Sequence, residues 1–325
     1  MSSHKKSKPI KSNSLYFDKL LVNREIEKKN EYKEDNIIIK KWDCDDIYSN
    51  MYCAKILTEN TNFLGILNEL FEREGYCLNI YTNGDSYFGY YSNNLRDKHG
   101  FYEFKPEIKK KIRNQEFYFG LWKDDLRNNR GINLWISEPE KNIPFSNFDD
   151  SDFECYVGLF ENDNFIKGTY LIKNEDDYYV YHGNFDEEGN KYGNNCLLYS
   201  STLEQCFYGK FQNNEFIKGY VCKYDNEGNV NDLCKYENEI IIKEEELNKN
   251  NINDISKLLF IFRNVIMGKD YFGDIYNCFG KAYNFKINEM KNIDILNNDK
   301  YLDIMTAAIC YNKVTIFNDI EKFVF

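Results

Sequence analysis

The sequence predicts a mainly β chain, an array of stacked antiparallel β-hairpins followed by a small α-helical C-terminal subdomain. Three observations predict it. A glycine with bulky side chains two residues before and after it recurs at Gly65, Gly89, Gly120, Gly158, Gly183 and Gly209. A second glycine follows ten or eleven residues later, at Gly75, Gly100, Gly131, Gly168, Gly193 and Gly219. From Ile255 onward the apolar spacing changes to the three-and-four rhythm of a helix.

The bulky residues are Phe63, Tyr87, Tyr118, Tyr156, Tyr181 and Phe207 before the first glycines, and Leu67, Tyr91, Trp122, Phe160, Phe185 and Phe211 after them. Residues i, i+2 and i+4 of a strand share one face. Tyr118, Gly120 and Trp122 therefore line up on one side, where a neighbouring ring can cover the bare glycine. Asn93-Asn94, Asp124-Asp125, Asn162-Asp163-Asn164, Asp186 to Asn190 and Asn213-Asn214 supply the turns. One hairpin is marginal in water, so the copies must bury a shared aromatic face together.

The copies agree with one another. Tyr87-Phe88-Gly89 recurs as Tyr118-Phe119-Gly120, and Phe165-Ile166-Lys167-Gly168 recurs as Phe216-Ile217-Lys218-Gly219. First glycines are spaced by 24, 31, 38, 25 and 26 residues. The two long intervals contain insertions, Lys105 to Gln115 and Glu138 to Asp152, and insertions in a repeat array map to loops. The copy at Phe63 is weaker, and Asn68 to Arg73 suits a helix equally well.

On these residues the chain resembles the MORN-repeat family (membrane occupation and recognition nexus). Tyr118-Phe119-Gly120-Leu121-Trp122 fits the opening of its motif and Lys98-His99-Gly100 its second half, while Asn83-Gly84-Asp85-Ser86-Tyr87 looks like its linker. The turns run a residue or two longer than the family's, and Arg130, Lys167, Tyr192 and Lys218 stand where it has histidine. The resemblance covers about residues 60 to 235 and implies an extended binding sheet. Such arrays serve as cytoskeletal scaffolds, junction proteins and accessory modules of some enzymes.

Composition narrows the function classes. A formal net charge of −11 argues against general nucleic-acid binding. The ten cysteines contain no C-x-x-C pair, which argues against structural zinc. Residues 1 to 11 are polar and basic, unlike a signal peptide, and no apolar run reaches a membrane span of about 18 residues. The expected compartment is the cytoplasm, with cysteines mostly reduced and partly buried. Cys155 and Cys206 share a repeat position, which reads as repetition rather than redox chemistry.

Along the chain, residues 1–36 read as a disordered basic tail and 37–60 as an N-terminal cap segment. Residues 61–242 form the hairpin array, 243–254 a linker and 255–325 the helical region. In the last, Ile255, Leu258, Leu259 and Phe262 fall on one helical face.

No catalytic motif is present: no G-x-x-x-x-G-K-[ST], G-x-S-x-G or H-E-x-x-H. His182 flanks Gly183 and is expected to face solvent, while His99 is expected to serve packing or a turn. Acid runs such as Asp176-Asp177 and Glu244-Glu245-Glu246 read as solvated charge. Lys98, Arg130, Lys167, Lys191 and Lys218 recur near the second glycines and suggest an anion-binding stripe.

The expectation is thus a non-enzymatic scaffold with no cofactor or metal. It would bind protein partners in a cytoskeletal, axonemal or cortical assembly. The alternative is a peripheral module that binds phosphoinositides through the stripe and the tail. An accessory part of an enzyme ranks last.

Overall fold

A computed structural model describes residues 19–34, 37–41, 51–58, 61–105, 114–137, 152–174, 177–224, 230–237 and 240–243, with Pro9, Ile255 and Leu259. These residues are mainly β, in consecutive antiparallel hairpins, as the glycine repeat predicts. They fall into two compact units, one running to Asn133 and including Glu161–Asp163, the other taking Leu134–Phe160 and resuming at Asn164.

The first unit opens with α1 (Lys19–Lys29) and continues through β1 (Glu31–Glu34), β2 (Ile37–Lys41), β3 (Tyr52–Leu57), β4 (Thr61–Leu67), β5 (Arg73–Tyr81), β6 (Ser86–Ser92), β7 (Leu95–Phe104), β8 (Asn114–Lys123) and the start of β9 (Leu126–Ser137). Each strand pairs antiparallel with the next. The second unit repeats the plan with β10 (Phe153–Glu161), β11 (Asn164–Asn174), β12 (Asp177–Phe185), β13 (Lys191–Ser200), β14 (Gln205–Gln212), β15 (Glu215–Tyr224), β16 (Val230–Glu237) and β17 (Ile240–Lys243).

Turn chemistry sets the register. Both residues of Asn93-Asn94, Asp124-Asp125, Asn162-Asp163 and Asn213-Asn214 have positive φ, between 47° and 71°. That is the two-residue type I′ hairpin, whose twist matches the flanking strands and which Asn and Asp tolerate best.

The glycines create room for a ring. Gly89 faces Gly100, which in turn faces Gly120. A Cβ on Gly89 would lie 2.4 Å from the Tyr87 hydroxyl oxygen and 2.5 Å from Gly100 Cα. At Gly89, Gly120, Gly158 and Gly183 the tyrosine two residues before thus lies across its own strand and covers the glycine. Its hydroxyl donates to the carbonyl three residues on: Tyr87 to Tyr90 at 3.0 Å, Tyr118 to Leu121 at 2.8 Å, Tyr156 to Leu159 at 2.8 Å and Tyr181 to Asn184 at 2.9 Å. The aromatic two residues after the glycine meets that ring edge-on, with centroids 5.0 to 5.2 Å apart. Neighbouring copies join through the same geometry, Tyr87 to Trp122 at 5.5 Å in the first unit and Tyr156 to Phe185 at 5.5 Å in the second. These contacts make one face of the strands an aromatic core.

Each tight turn is also latched to the preceding hairpin. The second turn residue donates its N–H to a carbonyl there and accepts that residue's N–H on its side-chain oxygen. Asp125 does so with Arg96 at 3.1 and 2.8 Å, and Asp163 with Arg127 at 3.0 and 2.9 Å. Asn94 latches Arg73 at 3.0 and 2.9 Å, and Asn214 latches Lys191 at 3.3 and 2.9 Å. The arginine side chains close the arrangement, with Nε 3.1 Å from Asp125 for Arg96 and 3.0 Å from Asp163 for Arg127.

Several expectations need correction. Residues 19–34 are not a disordered tail: Val22 and Ile26 bury one face of α1, Asn30 ends it at φ 58°, and β1 follows. The cap segment contributes two ordinary strands, β2 and β3. Residues 68–72 form a turn closed by the Asn68 side chain, which accepts N–H bonds from Leu70 and Glu72. Ile255 and Leu259 are helical. The remaining helical assignments, residues 106–113 and 138–151 of the insertions, residues 1–8, 10–18, 35 and 36 of the tail and most of the linker lie outside the described residues.

Candidate binding face

Strand alternation sends every second side chain to the face opposite the aromatic core. In the second unit this face is not uniform. One row across it, Leu171, Val180, Tyr199, Cys206, Cys222 and Leu233, is buried. Beside it the Tyr224 hydroxyl donates 2.9 Å to the carbonyl of Leu259, itself fully buried. Helical residue Leu259 therefore sits against this part of the face.

Toward the turns the same face opens. Lys167 pairs with Asn184, Asn184 with Tyr192, and Lys210 with Lys218. Between Gly193 and Cys196 the register slips, so Asn194 and Asn195 bulge together opposite Lys210. A bulge on β15 leaves Ile217 exposed, and Ile166, the matching isoleucine of the duplicated Phe-Ile-Lys-Gly sequence, is exposed on β11; Leu159 and Tyr192 are exposed alongside. The β13 bulge walls a shallow cleft of about 210 Å³ lined by Lys167, His182, Gly183, Asn184, Asn194, Asn195 and Cys196.

This surface combines ammonium groups, carboxamides and exposed apolar side chains. The ammoniums donate to anionic oxygens, the amides donate and accept as an extended peptide backbone requires, and the apolar residues offer contact area. The one hydroxyl–imidazole pair in it is Thr169 Oγ1 with His182 Nδ1, 2.9 Å apart. Both residues are buried, at 2% and 5% exposure, so the hydroxyl is not presented as a nucleophile. His182 is thus a packed histidine that helps floor the cleft, not the solvent-facing residue expected.

The predicted basic stripe divides. Lys167 and Lys218 share the open face of the second unit, and Lys210, absent from the prediction, joins them through direct pairing with Lys218. Lys210 precedes Phe211 in the first strand of its hairpin, so a search near second glycines passes over it. Lys191 lies on the aromatic face instead. It is 2% exposed, hydrogen-bonds the Tyr179 hydroxyl, and its Nζ is 5.7 Å from the Tyr181 ring centre. Burial pulls its pKa down to about 8. In the first unit Lys98 and Arg130 are exposed but do not occupy equivalent positions. Lys98, at φ 54°, aligns with Asn129 at φ 60°, while His99 aligns with Arg130. Lys98 Nζ lies 3.9 Å from the Tyr90 ring centre. His99 is half-buried, and burial lowers its pKa.

The tyrosines cover glycines in both units, and Phe207 and Phe211 both pack on Phe216 at 5.3 Å. No family model matches the chain, and no curated protein matches its sequence. Among the described residues no helix is long and apolar enough to cross a membrane.

Proposed function

We propose that the chain is a non-enzymatic scaffold of MORN-repeat type, and that the open face of its second unit holds an extended, acidic partner segment. The observation that carries this reading is the duplicated Ile-Lys pair. Ile166-Lys167 and Ile217-Lys218 stand on one face, with Asn184, Tyr192, Lys210 and the bulged asparagines between them. Spaced lysines match spaced carboxylates, and the exposed isoleucines and tyrosine match apolar side chains between them. The expected home is a cytoplasmic cytoskeletal or cortical assembly.

The test reverses the charge of Lys167, Lys210 and Lys218 to Glu in the full chain, expressed with a tag in its own cells. Wild type should remain in the detergent-insoluble cytoskeletal pellet with a defined set of proteins. The triple variant, with an unchanged melting temperature, should lose both. Equal retention of the two overturns the reading.

The same lysine row favours a second reading, recognition of phosphoinositide headgroups. Flotation of the pure protein with vesicles containing phosphatidylinositol bisphosphate tests it. Binding by wild type that the triple variant loses, without any protein partner, would replace the scaffold reading.

A further inference from the structure

Cys206 on β14 and Cys222 on β15 stand directly opposite each other in the register. Directly opposed residues of antiparallel strands have Cα atoms about 4.5 or 5.5 Å apart, and both values fall within the range a disulfide spans. Elsewhere among the described strands Cys77 faces Gly89, Cys196 faces Gly209 and Cys234 faces Val221.

Both thiols are fully buried, within the row that runs from Val180 and Tyr199 to Leu233. They are hydrogen-bonded to each other and to the Tyr224 phenol, which itself donates to the Leu259 carbonyl. Burial pushes the Cys206 thiol up, whereas the hydrogen bond from Cys206 pulls the Cys222 thiol down. Of the two, Cys222 gives up its proton the more readily, and the thiolate is the attacking species.

We propose that Cys206 and Cys222 are a redox couple that closes to a cross-strand disulfide, with a hydroperoxide as the oxidant. In the first step the Cys222 thiolate attacks one peroxide oxygen and the O–O bond breaks. With one proton taken up, this gives Cys222 sulfenic acid and one water. In the second step the Cys206 sulfur attacks the sulfenic sulfur, its proton leaves with the hydroxyl as a second water, and the S–S bond forms. Two thiols lose two electrons and the peroxide gains them.

The pair lies beside the Tyr224 hydroxyl, which holds the Leu259 carbonyl. Closure of the disulfide removes both S–H donors beside Tyr224 and alters the hydrogen bonding under Leu259.

The experiment treats the folded full chain with hydrogen peroxide, blocks remaining thiols with an alkylating agent, and maps the products by mass spectrometry. The expected result is a fall from ten alkylatable cysteines to eight, with one crosslinked peptide pair joining Cys206 to Cys222 and a dithiothreitol-reversible loss of 2 Da. Cys206→Ser should retain Cys222 as a sulfenic acid that dimedone traps, and Cys222→Ser should show neither crosslink nor adduct. Ten alkylatable thiols after a peroxide dose that oxidises the urea-unfolded chain would overturn the proposal. A crosslink between any other two cysteines would overturn it too. If a serine variant does not fold, the wild-type crosslink map decides alone.

Discussion

The two units use the same latch but fill it differently. The first inward residue of each returning strand lies over the tyrosine or phenylalanine two residues before the first glycine. In the first unit it is arginine: the Arg96 guanidinium carbon is 5.7 Å from the Tyr87 ring centre, and that of Arg127 is 5.6 Å from Tyr118. In the second unit it is Phe165, stacked on Tyr156 at 4.0 Å, then Lys191, then Phe216 beside Phe207 at 5.3 Å. The position demands something flat or aliphatic over a ring. Asp125 and Asp163 meet the two arginines with a carboxylate from the next turn, whereas Asn94 and Asn214 offer Arg73 and Lys191 an amide oxygen. Arg96 shows the arrangement without spare parts: its Nη1 has no hydrogen-bond acceptor, and its guanidinium carbon lies 4.5 Å from the Trp122 ring centre instead.

The largest effect follows from separating that charge pair. Asp125→Ala leaves Arg96 buried without its carboxylate and removes the side-chain bond of the latch, which should cost about 3–5 kcal/mol in chemical denaturation. The double change Arg96→Phe with Asp125→Asn converts the rung to the second unit's form. It should restore stability to within about 1 kcal/mol of wild type, since well-packed apolar replacements of buried pairs are often neutral or better. A double variant as weak as Asp125→Ala would break the equivalence of the two units.

The glycines differ next in what crowds them. A Cβ on Gly120 would lie 2.5 Å from Gly131 Cα and 2.8 Å from the Arg130 carbonyl oxygen, both backbone. On Gly183 it would meet the Tyr181 hydroxyl at 2.4 Å and Cys196 Sγ at 2.7 Å, both side-chain atoms. Gly120→Val should cost roughly 3 kcal/mol as an overpacked site that cannot yield. Gly183→Ala should cost roughly half that, because the side chains can turn aside. Equal melting temperatures for the two variants would remove close backbone approach as the reason for the glycines.

Much of this was legible in the sequence, because a strand period of two and type I′ turn chemistry are local properties. Tyr118, Gly120 and Trp122 declare their shared face by spacing alone, and Asp124-Asp125 declares its turn. The candidate face was half legible. Lys167 and Lys218 follow from the duplicated Phe-Ile-Lys-Gly. The two-residue bulge at Asn194-Asn195 puts those residues opposite Lys210, and a bulge is a long-range register event with no local signature. Lys191 was misassigned for a related reason. Its longer turn, Asp186 to Asn190, places it first on the returning strand and so on the inward side, where charge composition predicts no lysine. Asp125 and Asp163 looked like ordinary turn acids, because their arginines lie in the preceding hairpin.

Lys191 gives a smaller effect with a defined pH sign. Its folded pKa, lowered by burial to about 8, lies below the lysine value of 10.5. Between those values the unfolded chain retains a proton that the folded chain has released, so this group's contribution to stability rises with pH across that window and is flat below it. Lys191→Met should stabilise the second unit by roughly 1 kcal/mol at pH 7 and remove that rise. A variant that keeps the wild-type slope between pH 8 and 10 would assign the dependence to another group.

The smallest effect concerns a position that looks like turn and is not. Asn129 lies within β9, four residues past the Asp124-Asp125 turn, at φ 60°. Its counterpart Lys98 has φ 54°, so this left-handed kink belongs to both the β6–β7 and the β8–β9 hairpins. Asparagine visits that region at little expense, whereas alanine pays about 1 kcal/mol for its Cβ. Asn129→Ala should therefore lower stability by about 1 kcal/mol, and Asn129→Gly should not lower it, because glycine occupies the region freely. Equal losses for Ala and Gly would shift the cause from the backbone to the Asn129 side chain. The kink would then no longer explain why Arg130, one residue on, is exposed.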